Sequence, residues 1–228
     1  MRSIEWIATV GCPNYDAMET SNINEGSTLM QWKKPLVLAS ASPRRVELLI
    51  SAGIDAFTCP PTIDDGVIVC GSLMPNCWVE TLAVMKAQHV AGKHHDKIGT
   101  ILAADTVCVV DNQILGQPKD AEDARQMLLR MNNRSHEVFT GWCLISMDGE
   151  QLESGCEVAS ITIGEIDAKE ITQYVDSRKW CGKAGAYNLS ERVAAGWPII
   201  CDGDPTCVMG LPMDRLKENL HCFFGDNS

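Results

Sequence analysis

An apolar run, Leu36-Val37-Leu38, breaks into small residues and a proline, Ala39-Ser40-Ala41-Ser42-Pro43, then into Arg44-Arg45, and resumes at Val46, Leu49 and Ile50. Strand-type residues that give way to three-and-four spacing across a proline specify a strand, a tight turn and a helix start. Pro43 suits the first helical turn, where its missing N–H costs nothing, and Ser42 stands at the N-cap position. A helix N-terminus offers unpaired N–H groups and a partial positive charge. With two guanidinium groups beside it, the turn reads as an anion site, phosphate being the fitting class. A capped surface helix with two solvated arginines is the competing reading.

The net charge of −11 argues against a broad nucleic-acid surface, which needs a basic face. A few convergent cations can still bind a small polyanion. No apolar run reaches membrane-spanning length, and the N-terminus lacks the uninterrupted apolar core of a signal peptide. Eleven scattered cysteines form no C-x-x-C pair and no zinc-finger spacing with the histidines. They read as reduced, mostly buried thiols of a cytoplasmic protein. Residues 1–29 are turn-formers without periodicity, so a poorly ordered N-terminal extension is expected there, and a single domain over 30–228. Met30 is one candidate for the natural start; an intact mass of the native protein that includes Met1 would overturn it.

Helical spacing marks Trp78 to Ala91, with Val79, Leu82, Ala83 and Lys86 on one face. Ile98 to Val110 reads as a buried central strand, apolar on both faces. Asp120 caps a helix over Ala121 to Met131. His136 to Ser146 and Leu152 to Ile163 form a hairpin around Asp148-Gly149. Asp167 starts a helix through Val175, Lys183 to Leu189 and Trp197 to Cys201 read as short strands or loops, and a last helix begins at Met213. Helices alternating with strands, then hairpins, give an α/β class: a mixed twisted sheet with flanking helices.

Asp105, beside Thr106, lies inside the apolar strand. A carboxylate in such a place needs a partner, a metal or a catalytic task; the bland reading is a strand-end cap, and the apolar Val107 to Val110 beyond it favour function. Asp64 and Asp65 offer a second carboxylate or merely a solvated turn. Lys86 either snorkels outward or points into a cleft. Lys183 sits among small residues that let a ligand approach the backbone. His136 reads as structural. No Walker A, G-x-S-x-G, H-E-x-x-H or G-x-G-x-x-G motif is present.

Seven segments together resemble the Maf family of nucleoside triphosphate pyrophosphatases, in the family's order and over roughly residues 35–220. They are Leu38 to Leu49, Lys86-Ala87, Ala104 to Val107, Ile114 to Pro118, Arg134 to Gly141, Lys183 to Tyr187 and Val208 to Pro212. The resemblance implies two lobes around a deep cleft, as in the inosine triphosphate pyrophosphatases. It implies hydrolysis of a nucleoside triphosphate to the monophosphate and pyrophosphate, dependence on a divalent cation (Mg2+ or Mn2+), and a homodimer. Asp105 matches the catalytic acidic position, described as the proton acceptor. Ser42, Arg45, Lys86 and Lys183 match positions lining the phosphate cleft. Asp65, or Asp64 one residue away, matches an early acidic position expected to share the metal with Asp105.

Arg44 and Thr106 are similar to the branch acting on dTTP and UTP. At the third position of that base-selecting set the chain departs: Ser190, followed by Glu191, stands where the branch has glutamine. Gln117 replaces a usual lysine. These departures leave CTP or modified pyrimidines open as substrates, and keep a rival reading alive: a non-catalytic nucleotide-binding regulator of septum formation.

Overall fold

The computed structural model describes residues 35–63, 68, 70–94 and 98–220. The expected extension over residues 1–29 and the Asp64-Asp65 turn lie outside these residues. Among the described residues seven strands form one mixed sheet. They are β1 (Leu36–Leu38), β2 (Ala56–Thr58), β3 (Thr100–Val110), β4 (Gln113–Leu115), β5 (Arg134–Ser146), β6 (Gln151–Ile163) and β7 (Ile199–Asp202). The order is β2-β1-β3-β5-β6-β7, with β4 also on β3. β1 runs parallel to β2 and β3; the other pairings are antiparallel. Among the described residues the helices are α1 (Pro43–Ser51), α2 (Pro75–Ala91), α3 (Ala121–Met131), α4 (Ala168–Asp176), α5 (Leu189–Ala194), α6 (Pro205–Val208) and α7 (Met213–Leu220).

The sequence rules hold where the local signal is strong. Ser42 is the extended N-cap of α1 with Pro43 in its first turn. Asp120 Oδ1 accepts from Asp123 N at 2.8 Å and Asp167 Oδ1 from Lys169 N at 2.6 Å, satisfying orphan donors of α3 and α4. Two elements differ from expectation. Helix α2 begins one turn before Trp78, because Pro75 takes the first helical position and needs no N–H partner. The segment Lys183 to Leu189, expected as strand or loop, holds a 3₁₀ turn at Ala184–Ala186, and α5 follows where no element was expected. Asn188 Oδ1 caps that helix through Glu191 N at 3.0 Å; six residues are too few for helical periodicity to show.

Alternation along β3 divides the core. Ile101 and Ala103 pack with Ala83, Ala87 and Val90 of α2, while Leu102 and Ala104 face Leu49, Trp142 and Leu216 on the opposite side. Further along, Cys108 and Val110 join the α3 and α4 side chains in a separate apolar cluster. One edge of β3 pairs continuously with β5. The other pairs with β1 at Thr100 to Leu102 and with β4 at Cys108 to Val110. Between them, residues 103 to 107 carry no strand partner on that edge among the described residues. Beside this gap the chain leaves β1 and turns through Ser40 to Arg45. None of the nine described cysteines is in a disulfide, and only four of them are buried, fewer than expected.

Candidate active site

Every residue of β3 is buried except two neighbours in the gap, Asp105 and Thr106. Alternation sends them to opposite faces of the sheet. On the α2 side, Lys86 Nζ donates to Asp105 Oδ1 at 2.5 Å, with the two side chains only 12% and 13% exposed. Helix α2 reaches Asp105 because the cross-strand neighbour of Asp105 is Gly141. A Cβ on Gly141 would lie 2.3 Å from the Val79 carbonyl carbon, so glycine is what admits the helix backbone.

Arg45 spans the other side. Its Nε donates to Gly210 O at 2.8 Å, one Nη to Ser40 Oγ at 3.1 Å and the other to Thr106 Oγ1 at 3.2 Å. Gly210 has φ +107, a conformation that disfavours any side chain, and its carbonyl meets the guanidinium there. Thr140 Oγ1 donates to Cys207 O at 2.8 Å, so the 2.9 Å contact between the two threonine hydroxyls is donated by Thr106. The direction is settled along the whole chain: Arg45 gives to Thr106, Thr106 to Thr140, Thr140 to the backbone.

Two joined cavities fill the gap. The outer one, about 540 Å³, is walled by the Ala39–Arg45 turn, Lys86, Gln117, Lys183 and Glu191. The inner one, about 140 Å³, adds Asp105, Thr106 and Tyr187. Ser42, Arg44, Arg45, Lys86, Gln117 and Gly182 line both, which makes the cavities one cleft of ligand size. The structure thus brings together Ser42, Arg44, Arg45, Lys86, Asp105, Thr106 and Lys183. The Ser42 side chain makes no capping hydrogen bond, although Ser42 holds the N-cap position. Burial lowers the Arg44 pKa, and the nearby Glu191 carboxylate acts in the opposite sense. Lys183 Nζ donates to both oxygens of Glu191, at 2.9 and 2.8 Å. Ser190 lies outside both cavities, exposed, its hydroxyl on Asn188 Oδ1 at 2.8 Å. Gln117 does line the cleft, whereas Lys119 does not.

Sequence reasoning gave no individual role to Ser40, Thr140 or Glu191. The hydroxyl pair Ser40-x-Ser42 was the available signal for the first. Cys108, at the inner wall, is no nucleophile: burial pushes its thiol up to about 12, so it stays protonated near neutrality. His136, read as structural, is buried with Nε2 2.9 Å from the Tyr187 hydroxyl. Among the described residues no three His, Cys, Asp or Glu side chains cluster to hold a metal alone. Asp105 is the one described carboxylate of the inner cavity. One carboxylate suits magnesium only where ligand oxygens and water complete the shell, and Asp105 fits such a cation on those terms.

The family model described as Maf-like protein matches residues 35–223. The dTTP/UTP pyrophosphatase of Acholeplasma laidlawii is 38% identical over 189 residues, 82% of this chain and 96% of the relative. That of Rhodopirellula baltica is 36% identical over 190 residues, 82% of each chain. That of Halalkalibacterium halodurans is 38% identical over 187 residues, 82% of this chain and 95% of the relative. A solved nucleoside-triphosphatase / dITP/XTP pyrophosphatase from Mycobacterium abscessus is 16% identical, covers 58% of this chain and 76% of its own, and has a TM-score of 0.37.

Proposed function

The chain belongs to the Maf-like family, and from that premise we propose that it hydrolyses nucleoside triphosphates, dTTP and UTP first among them, to the monophosphate and pyrophosphate. The observation that carries this is the one break in the burial of β3, Asp105 and Thr106, opening into a cleft walled by Arg44, Arg45, Lys86 and Lys183. A nucleoside triphosphate brings about four negative charges near neutrality, and four cations, two of them paired with Asp105 and Glu191, converge on the cleft inside an otherwise acidic protein. The relatives' activity on dTTP and UTP supports the pyrimidine preference.

In this reading the first turn of α1, Ser42 and Arg45 bind phosphate oxygens. Lys86 does so too while holding the Asp105 carboxylate. Asp105 accepts a proton from the water that attacks phosphorus; the bridging P–O bond breaks, and its electron pair leaves with pyrophosphate. Asp105, with the early acidic position at Asp65, would hold a magnesium or manganese ion, which supplies positive charge against that developing on the leaving group. Arg44 and Thr106 read the base.

A panel of canonical and modified triphosphates, assayed for pyrophosphate with magnesium or manganese, tests the proposal. Release is expected from dTTP and UTP and should fall at least ~100-fold in Asp105→Asn with circular dichroism unchanged. Near-normal turnover in that variant would refute the role of Asp105. Tight nucleotide binding without pyrophosphate from any substrate would transfer support to the regulator reading.

A further inference from the structure

The Lys183–Glu191 pair puts a carboxylate into a wall that is otherwise cationic. Both Glu191 oxygens accept from Lys183 Nζ, and Glu191 is also the leading electrostatic influence on Arg44. The two partners are unequal. The Lys183 side chain is 13% exposed and the Glu191 side chain 42%. An ammonium with so little access to water needs a protein or ligand partner, whereas the glutamate can turn out into solvent at small cost. An ammonium has three donors, and two are committed to Glu191. One donor is left over, so a phosphate that takes more than one from Lys183 must take it from Glu191, and any phosphate there meets the Glu191 charge.

Resting on the hydrolase reading of the cleft, we infer that Glu191 is an internal competitor for substrate phosphate and so sets how readily a polyphosphate enters. It holds Lys183, and the incoming polyphosphate displaces it toward solvent. Its position is maintained by the short helix α5, whose cap at Asn188 fixes Glu191 in the first turn. The departure at Ser190-Glu191 then acts on the phosphates through Glu191, because Ser190 lies outside the cleft.

The test is calorimetric binding of inorganic tripolyphosphate to the full chain and its variants. Glu191→Gln keeps the size of the side chain, removes its charge, and should tighten binding about fivefold, the equivalent of roughly 1 kcal/mol. In a Lys183→Met background the same substitution should change affinity less than about twofold, since no ammonium remains to compete for. Unchanged or weaker binding in Glu191→Gln would overturn the inference, weaker binding showing that Glu191 supports Lys183 instead. An equal gain with and without Lys183 would also overturn it, reducing the effect to general repulsion. Tripolyphosphate binding needs no turnover, so a chain that releases no pyrophosphate would lose the hydrolase reading and still answer this question.

Discussion

Arg45 and Arg44 are adjacent and chemically identical, yet the fold surrounds them differently. Arg45 is clamped by Gly210, Ser40 and Thr106, which come from segments more than 60 residues apart in the chain. A guanidinium fixed at three donors is pre-organised, and the entropy of ordering it is not spent again when phosphate arrives. Arg45→Ala should raise KM for dTTP about 10- to 100-fold, the scale of a lost charge-assisted hydrogen bond or two. Arg45→Lys should recover little, because an ammonium cannot reproduce the fork. Steady-state kinetics decides this; unchanged KM and kcat would contradict a phosphate role. The turn itself was legible from Ser42-Pro43-Arg44-Arg45, since caps and prolines act locally. The anchoring of Arg45 was not, because it depends on carbonyl and hydroxyl groups contributed by remote strands and loops.

At the scale of elements, the site depends on how closely α2 lies on the sheet. The contact between Gly141 and the Val79–Glu80 backbone sets that distance, and Lys86 follows two turns later on the same helix. Gly141→Ala would place a methyl group within 2.4 Å of three backbone atoms. Backbone cannot give way as a side-chain tip can, so the helix must lift. The expected loss is roughly 3 kcal/mol, at the upper end for overpacking, with a lower urea midpoint and loss of the Lys86–Asp105 contact. A midpoint equal to wild type would show that the packing is softer than this geometry implies. The helix and its Lys86 face were legible by periodicity. The requirement for glycine was not, because it comes from a helix more than 50 residues earlier pressing on β5. Helix α5 escaped too: it buries Leu189 and stacks Arg192 on Tyr174 and Trp197, contacts with remote residues, and has too few turns to leave a pattern.

For the molecule as a whole, pH should act through His136. Burial pushes its pKa from 6.5 to about 4, and Nδ1 has no hydrogen-bond partner among the described residues. The imidazole is therefore neutral in the folded chain. Between pH 6.5 and 4 the unfolded chain binds more protons than the folded one, so stability is full above 6.5 and falls on acidification through that window. From pH 7 to pH 5 the loss should be about 2 kcal/mol from this group, seen as a fall in Tm that His136→Asn diminishes; an equal fall in the variant would reject the assignment. His136 touches Tyr187, and Tyr187 lines the inner cavity, so the same burial supports the wall of the site. What the sequence alone determined is what short-range forces control: the strand, turn and helix of residues 36–51, the central apolar strand with its embedded Asp105, the caps at Asp120 and Asp167, and the mixed α/β class. Tertiary structure alone decided that β1 and β4 share one edge of β3 and leave a gap at residues 103 to 107. It also decided that Arg45 and Lys86 enter that gap from opposite faces and that Glu191 takes hold of Lys183. Strand partnership and the pairing of charges depend on which distant segments the folded core brings within a few ångströms, and no local pattern along the chain encodes those distances.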